Sequence, residues 1–189
     1  MFGLKTNENQ IDLNKLLRLE SEIKIVLEDI VKYLCIHIEN QIIAGADTIQ
    51  IFDSWAGLIP EKKLFDFCYK PNKKIVEFCK KKKTPVICFP KGLGKNYQDF
   101  GNIVMPDCLN LDYEISPSWA KDNLNNFCLQ GGMDPKILFE EENKIFKEVD
   151  KYLNIFKDHA YIFNLGHGIL PKTNPEILQK VIERVNNFK

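Results

Sequence analysis

The chain has 189 residues, 44% of them hydrophobic and 28% charged, with 26 basic and 26 acidic side chains and a formal net charge of zero. That length suits one domain with a real core, 1–189, and the charge balance argues against nucleic-acid or membrane-surface partners held by bulk attraction. No apolar run nears the roughly 20 residues that span a bilayer, and the opening MFGLKTNENQ lacks the basic start and apolar stretch of a signal peptide.

In chain order, residues 12–44 read as a helix, with Leu13, Leu16, Leu17, Ile23, Val26, Leu27, Ile30, Leu34, Ile38 and Ile42 recurring at three and four and Gly45 ending it. DTIQIFDS is a buried strand, β-branched and apolar, and SWAGLIP is its loop. A helix from about 61 to 82 leads to the strand TPVICFP, the loop KGLGKN and a short helix. DCLNLDYE is the third strand, followed by ISPS and another short helix, and NNFCLQGG is the fourth. Asp134 opens a helical region to about 157, AYIFNLGH is the last strand, and a helix runs from about 175 to 188. Ser116-Pro117, Asp134-Pro135 and Asn174-Pro175 each pair an N-cap with proline at the first helical position. About five strands alternating with helices predict an α/β fold with a parallel sheet. Strands apolar on both faces predict helices on both sides, or a barrel.

The six cysteines stand singly at 35, 68, 79, 88, 108 and 128, none in C-x-x-C. Several lie within apolar runs, where a thiol acts as a small hydrophobe, so the reading is a reducing cytoplasmic compartment without disulfides or zinc. Arginine occurs only at 18 and 184. Planar recognition of carboxylates favours arginine, so the main clamp for any polyanion lies outside this chain.

In parallel α/β proteins, function gathers at the C-terminal strand ends. There the sequence places Asp53, Ser54 and Trp55; Lys91, Gly92 and Gly94; Asp112, Tyr113 and Glu114; Gln130 to Gly132 with Asp134; and Asn164, His167 and Gly168. KGLGKN has G-x-G without a third glycine or a clear helix opening on it, and is read as a turn rather than a phosphate cradle. Asp134 is read as a helix cap, Lys80 to Lys83 as a solvated helix end suited to the macrodipole, His37 as structural near the apolar side of the first helix, and His159 as exposed. Ser54 beside Asp53 invites a serine triad with His167, but the G-x-S-x-G elbow is absent. His167 alone combines flanking glycines with the right end of a strand. Its glycines are expected to bring backbone close to a ligand, and histidine is the residue type suited to proton transfer.

GADTIQIFDSWAG (45–57) and FNLGHGILPKTNPE (163–176) resemble the uroporphyrinogen decarboxylase family of haem biosynthesis, with LDYE (111–114) and LQGGMDP (129–135) in the family's order between them. The resemblance implies a (β/α)8 TIM barrel, here an incomplete one of about five βα units; an open five-stranded parallel sheet is the alternative fold. It implies the cofactor-free and metal-free removal of the four acetate carboxylates of uroporphyrinogen to give coproporphyrinogen. The protonated pyrrole takes up the electrons of the breaking C–C bond, which leaves the protein to position the substrate and deliver protons. By the same resemblance, Ser54 and His167 line the substrate pocket, His167 as the proton-competent group, and Phe52 lies near the macrocycle. Gly132 stands where many members have asparagine, and no role passes to it.

A family member has about twice this length. The chain resembles its C-terminal portion, with Met1-Phe2-Gly3 following directly on a family tyrosine. The first three βα units, with their arginine-rich loop and an aspartate that gathers the pyrrole N–H groups, are the expected missing part. Activity is therefore expected to need that N-terminal half, in cis or in trans, and the resemblance also implies homodimers. The competing function is a non-catalytic tetrapyrrole-binding or interaction protein. A metal-dependent methyltransferase of the same superfamily would need a His/Cys cluster, which the sequence does not offer.

Overall fold

The computed structural model describes residues 18–188. They fall into two compact units that divide between Asp107 and Cys108. The expectations that rest on Leu13, Leu16, Leu17 and Met1-Phe2-Gly3 lie outside the described residues.

The first unit opens with α1, Glu20–Ile43, which Gly45 follows as predicted. This helix carries apolar side chains on several sides, interleaved with charged ones. Only Val31 and Ile38 are fully buried, while Ile25, Tyr33, Ile36 and Ile43 are exposed. Ile23, Leu27, Ile30, Val31, Cys35, Ile38 and Ile42 form its better-covered stripe, and ion pairs tie it to the rest of the unit as well. Glu20 pairs with Lys63 at 2.6 Å, Lys24 with Asp66 at 3.0 Å, and Lys74 and Lys82 pair with Glu28 and Glu39. Hydrogen bonds from Lys24 and Lys63 hold the Glu20 carboxyl down at about 2.

β1, Ile49–Asp53, pairs in parallel with β2, Val86–Pro90, in the register Ile51↔Cys88 and Asp53↔Pro90. The helix predicted over 61–82 is broken. A 3-10 turn, Glu61–Lys63, gives way to a π-helical turn, Phe65–Tyr69, and only then to α2, Lys70–Lys81. Pro71 supplies the reason: it has no N–H for the Phe67 carbonyl and its ring crowds that group, so the preceding turn widens. α2 is amphipathic and buries Ile75, Val76 and Cys79. After β2, a 3-10 turn, Gly94–Asn96, runs directly into α3, Tyr97–Val104. The short helix predicted after KGLGKN is there and opens directly on that loop, with no side chain capping it.

In the second unit β3, Cys108–Leu111, β4, Cys128–Gly131, and β5, Tyr161–Ile162, pair in parallel in that order. β5 is shorter than expected. Gly131 and Gly132 take φ of 78° and 101°, conformations outside a strand, and interrupt the ladder before it resumes as a bridge from Met133 to Leu165 in the same register. α4, Pro117–Asn123, α5, Glu142–Phe156, and α6, Pro175–Asn186, complete the unit. The helical region after Asp134 begins as a 3-10 turn, Pro135–Phe139, before α5. All three predicted caps form: Ser116, Asp134 and Asn174 accept from the backbone N–H of Trp119, Lys136 and Glu176. Leu109, Leu111, Leu129, Met133, Ile145, Val149 and Phe156 make the core.

Parallel strands alternating with helices bear out the α/β reading. No described helix is long and apolar enough to cross a membrane. All six cysteines are free thiols, and burial pushes Cys79 up to about 11 and Cys68 and Cys88 further still.

Candidate active site

In the first unit the candidates sit at the end of β1. Phe52 leaves its ring 67% exposed, edge-on to Phe89 at 6.2 Å between centroids. Its ring is thus open to solvent at the strand end. Asp53 points into the unit. Its carboxylate accepts from Asn72 Nδ2 at 2.9 Å and from the Cys68 thiol at 3.4 Å. It is therefore held by an amide and a thiol from the neighbouring helical segment, not by a histidine as a triad would need. Ser54 is half-buried in the turn that follows, and its hydroxyl makes no hydrogen bond with the described residues. It is free to take a ligand oxygen.

Burial raises the Asp53 carboxyl above the ordinary value of 3.8, against the opposing pull of Asn72 and Cys68. The raised value means that the folded protein binds the proton more tightly than the unfolded chain does. The stabilisation is complete below 3.8 and is lost as pH rises through the folded value. Asp53→Asn is therefore expected to gain stability relative to the parent chain as pH rises from about 4 towards neutrality. Urea midpoints of the two chains across that range test it; a constant difference would refute the assignment.

In the second unit the strand ends meet around Gly166. Its N–H donates to the Met133 carbonyl at 2.7 Å, and a Cβ there would lie 2.5 Å from the Tyr113 backbone nitrogen. His167 follows with its ring exposed, and Gly168 has open space around it. The flanking glycines thus differ: Gly166 lets the last strand dock on the Asp112–Tyr113 backbone, a close approach to protein rather than to a ligand as its sequence suggested. Gly168 leaves the turn unencumbered. No hydrogen bond joins the His167 imidazole to the described residues.

Beneath this surface lies a polar layer. Gln130 Nε2 donates to Asn110 Oδ1 at 2.5 Å between adjacent buried strands. Tyr161 and Tyr152 donate to the carbonyls of Gly131 and Gly132 at 2.7 and 2.8 Å. Asp112 is buried and accepts from the Glu114 N–H at 3.0 Å. Burial and the nearby carboxylates of Glu114, Asp134 and Asp112 raise the Tyr113 phenol. Beside this layer is an open cavity of about 400 Å³, lined among others by Tyr113, Glu114, Asp134, Glu148 and Lys151. Three carboxylates against one ammonium make it repel a polycarboxylate, and His167 does not line it.

The other histidines depart from their sequence readings. His37 is exposed on α1 rather than packed on an apolar face. His159 is half-buried, its Nε2 2.9 Å from the Phe127 carbonyl and its ring against Phe156. No group of three His, Cys, Asp or Glu side chains among the described residues is arranged to hold a metal ion.

Residues 10–188 match the model of the family described as uroporphyrinogen decarboxylase (URO-D). The chain belongs to the uroporphyrinogen decarboxylase family. Proteins named uroporphyrinogen decarboxylase resemble it at the same level. That of Orientia tsutsugamushi (strain Ikeda) is 35% identical over 161 residues, 83% of this chain and 47% of that protein. That of Rickettsia bellii (strain RML369-C) is 38% identical over 155 residues, covering 81% and 46%. That of Wolbachia sp. subsp. Drosophila simulans (strain wRi) is 34% identical over 168 residues, covering 88% and 49%. The chain spans about half the length of the curated relatives it matches. The URO-D match runs through both structural units, from α1 to α6.

Proposed function

We propose that the chain supplies part of a uroporphyrinogen decarboxylase and works with the remaining half of the family's length, in cis or in trans. The family match over residues 10–188 carries this reading. In each turnover an acetate carboxylate leaves as CO2, the pyrrole takes up the electrons of the C–C bond, and a proton replaces the carboxylate on the methylene carbon. Phe52 is assigned to the macrocycle face, Ser54 to a substrate carboxylate, and His167 to carboxylate binding and proton delivery. Support within each unit is the exposure of Phe52 and His167 and the unengaged hydroxyl of Ser54. No metal or organic cofactor enters the assignment, and the compartment assigned is the cytoplasm. The two units are read as consecutive parts of one barrel domain, its C-terminal portion, and completed copies as pairing into dimers.

Charge and surface explain why the half should not act alone. Arg184 is engaged by Asp150 at 2.8 and 2.5 Å and sits over the Phe146 ring, so it is not a substrate clamp. The outer face of α1 shows Ile25, Tyr33, Ile36 and Ile43, and among the described residues β1 pairs along one edge only. Both suit a polypeptide carrying the remaining half, which would cover the helix and extend the strand pairing.

The purified 189-residue chain is expected to convert uroporphyrinogen at least about a hundredfold more slowly than the same chain completed by the other half, since electrostatic clamping of this kind is worth about that much. Porphyrin products resolved by carboxylate number measure it. Near-normal turnover by the isolated chain would refute the need for a second half. No turnover in any assembly, with retained uroporphyrin binding, would favour the non-catalytic tetrapyrrole-binding reading.

A further inference from the structure

The turn that carries Ser54 is fixed from two sides within the first unit. On one side it is bolted to the end of β2 by backbone alone: the Lys91 N–H donates to the Asp53 carbonyl at 3.2 Å and the Gly57 N–H to the Lys91 carbonyl at 2.9 Å. Gly57 and Gly92 pass so closely that a Cβ on Gly57 would lie 2.3 Å from the Gly92 oxygen. On the other side it is tied to the helical layer by one buried amide. Asn72, on α2, donates to Asp53 Oδ2 at 2.9 Å and to the Cys68 carbonyl at 2.9 Å. Cys68 lies in the π-helical turn and donates to the same Asp53 oxygen.

The amide of Asn72 has two N–H groups. It donates both to the carboxylate at the strand end and to the Cys68 carbonyl one turn back on its own helical segment. An aspartate there would repel Asp53, and an aliphatic side chain would leave the buried carboxylate with only the weaker Cys68 thiol as donor, a costly state for such a group. Ser54 and Phe52 flank Asp53 directly, so whatever fixes that carboxylate fixes the backbone that presents them. Positioning errors of about an ångström are enough to lose most of a site's effect.

We propose that Asn72, with Cys68, is a positioning residue that acts through Asp53 to hold Ser54 and Phe52 in their ligand-ready place. The inference rests on the decarboxylase reading for the identity of the ligand, but not for the positioning itself.

Two measurements test it. Amide exchange on the full chain follows Gly57 and Lys91 in the first unit, with Leu129 and Gly166 in the second as references. Asn72→Ala is expected to speed exchange at Gly57 and Lys91 by about tenfold more than at the references. Cys68→Ala, which removes only the weaker donor, is expected to give about threefold and serves where Asn72→Ala does not fold. Equal changes at all four amides would overturn the proposal. The second measurement is a double-mutant cycle in uroporphyrin affinity, read by absorbance on the chain completed by the other half. Asn72→Ala is expected to weaken binding by about tenfold in the parent but by less than about twofold in Ser54→Ala, since contacts in one network do not add. Equal losses in both backgrounds would overturn it, because a general loss of stability has no reason to depend on Ser54. A parent that binds no uroporphyrin would sink the decarboxylase reading instead, and the exchange result would then decide the positioning claim alone.

Discussion

Gly166→Ala is expected to destabilise the second unit by about 3 kcal/mol or more, at the upper end of overpacking costs. Gly168→Ala, two residues on, is expected to stay within about 0.5 kcal/mol of the parent. The added methyl is the same in both. At 166 it would meet the Tyr113 nitrogen at 2.5 Å and the Asp112 carbonyl carbon at 2.9 Å; at 168 it would meet nothing within 4 Å. The obstacle at 166 is backbone, which cannot swing aside as a side chain can. Moving it would disturb the Met133 carbonyl contact and the bridge from Met133 to Leu165 as well. Urea unfolding, followed by the fluorescence of Trp119 after Trp55→Phe, reports the second unit by itself. Equal stabilities for the two variants would show that Gly166 is there for flexibility and not for the close approach.

That contrast shows where the sequence was legible and where it was not. A glycine on each side of His167 was plain, and so was the strand before it, because apolar runs and turn residues are local signals. What each glycine meets is a fact of tertiary packing, and Asp112–Tyr113 lies some fifty residues earlier in the chain. The caps were legible for the same local reason: Ser116, Asp134 and Asn174 each stand before a proline, and each accepts the bond expected of it. The helix predicted over about 61–82 carries its own break signal, since Pro71 stands inside the run. Asn72 had no signal at all. An asparagine on a helix reads as a surface residue until Asp53 is found opposite it. Tyr152 and Tyr161 carry no such signal either. Only the structure shows their hydroxyls on the carbonyls of Gly132 and Gly131, which the interrupted ladder leaves in need of donors.

The face polarity of α1 was half legible. Its apolar periodicity predicted a helix, and the helix is there. Periodicity does not say which face a unit keeps for itself. Here the ion pairs of Glu20, Lys24, Glu28 and Glu39 lie toward the 61–82 segment, and Ile25, Tyr33, Ile36 and Ile43 face away. Exposed ion pairs are worth little each, so α1 rests on this unit mainly through the stripe that includes Ile23, Leu27, Val31 and Ile38.

His167→Asn, in the chain completed by its other half, is expected to lower kcat by about 10²–10⁴, the range a positioned proton donor supplies, while stability stays within about 0.5 kcal/mol of the parent. The separation of the two effects follows from the site. The imidazole is exposed and bonded to none of the described residues, so folding loses nothing with it. Asparagine keeps a hydrogen-bond donor for a substrate carboxylate but cannot exchange a proton near neutrality. A loss in kcat with KM little changed would therefore identify proton delivery, and a rise in KM with kcat kept would identify carboxylate binding alone. His159→Asn is the control with the opposite signature. Its ring is half-buried against Phe156, with Nε2 at 2.9 Å from the Phe127 carbonyl, so it should cost stability, on the order of 1 kcal/mol for the hydrogen bond, and leave turnover unchanged. Product formation under saturating uroporphyrinogen, set beside urea midpoints for both variants, separates the two histidines. If His167→Asn turned over at the parent rate, the proton would have to come from another group, and the glycine-flanked histidine would be reduced to a binding contact.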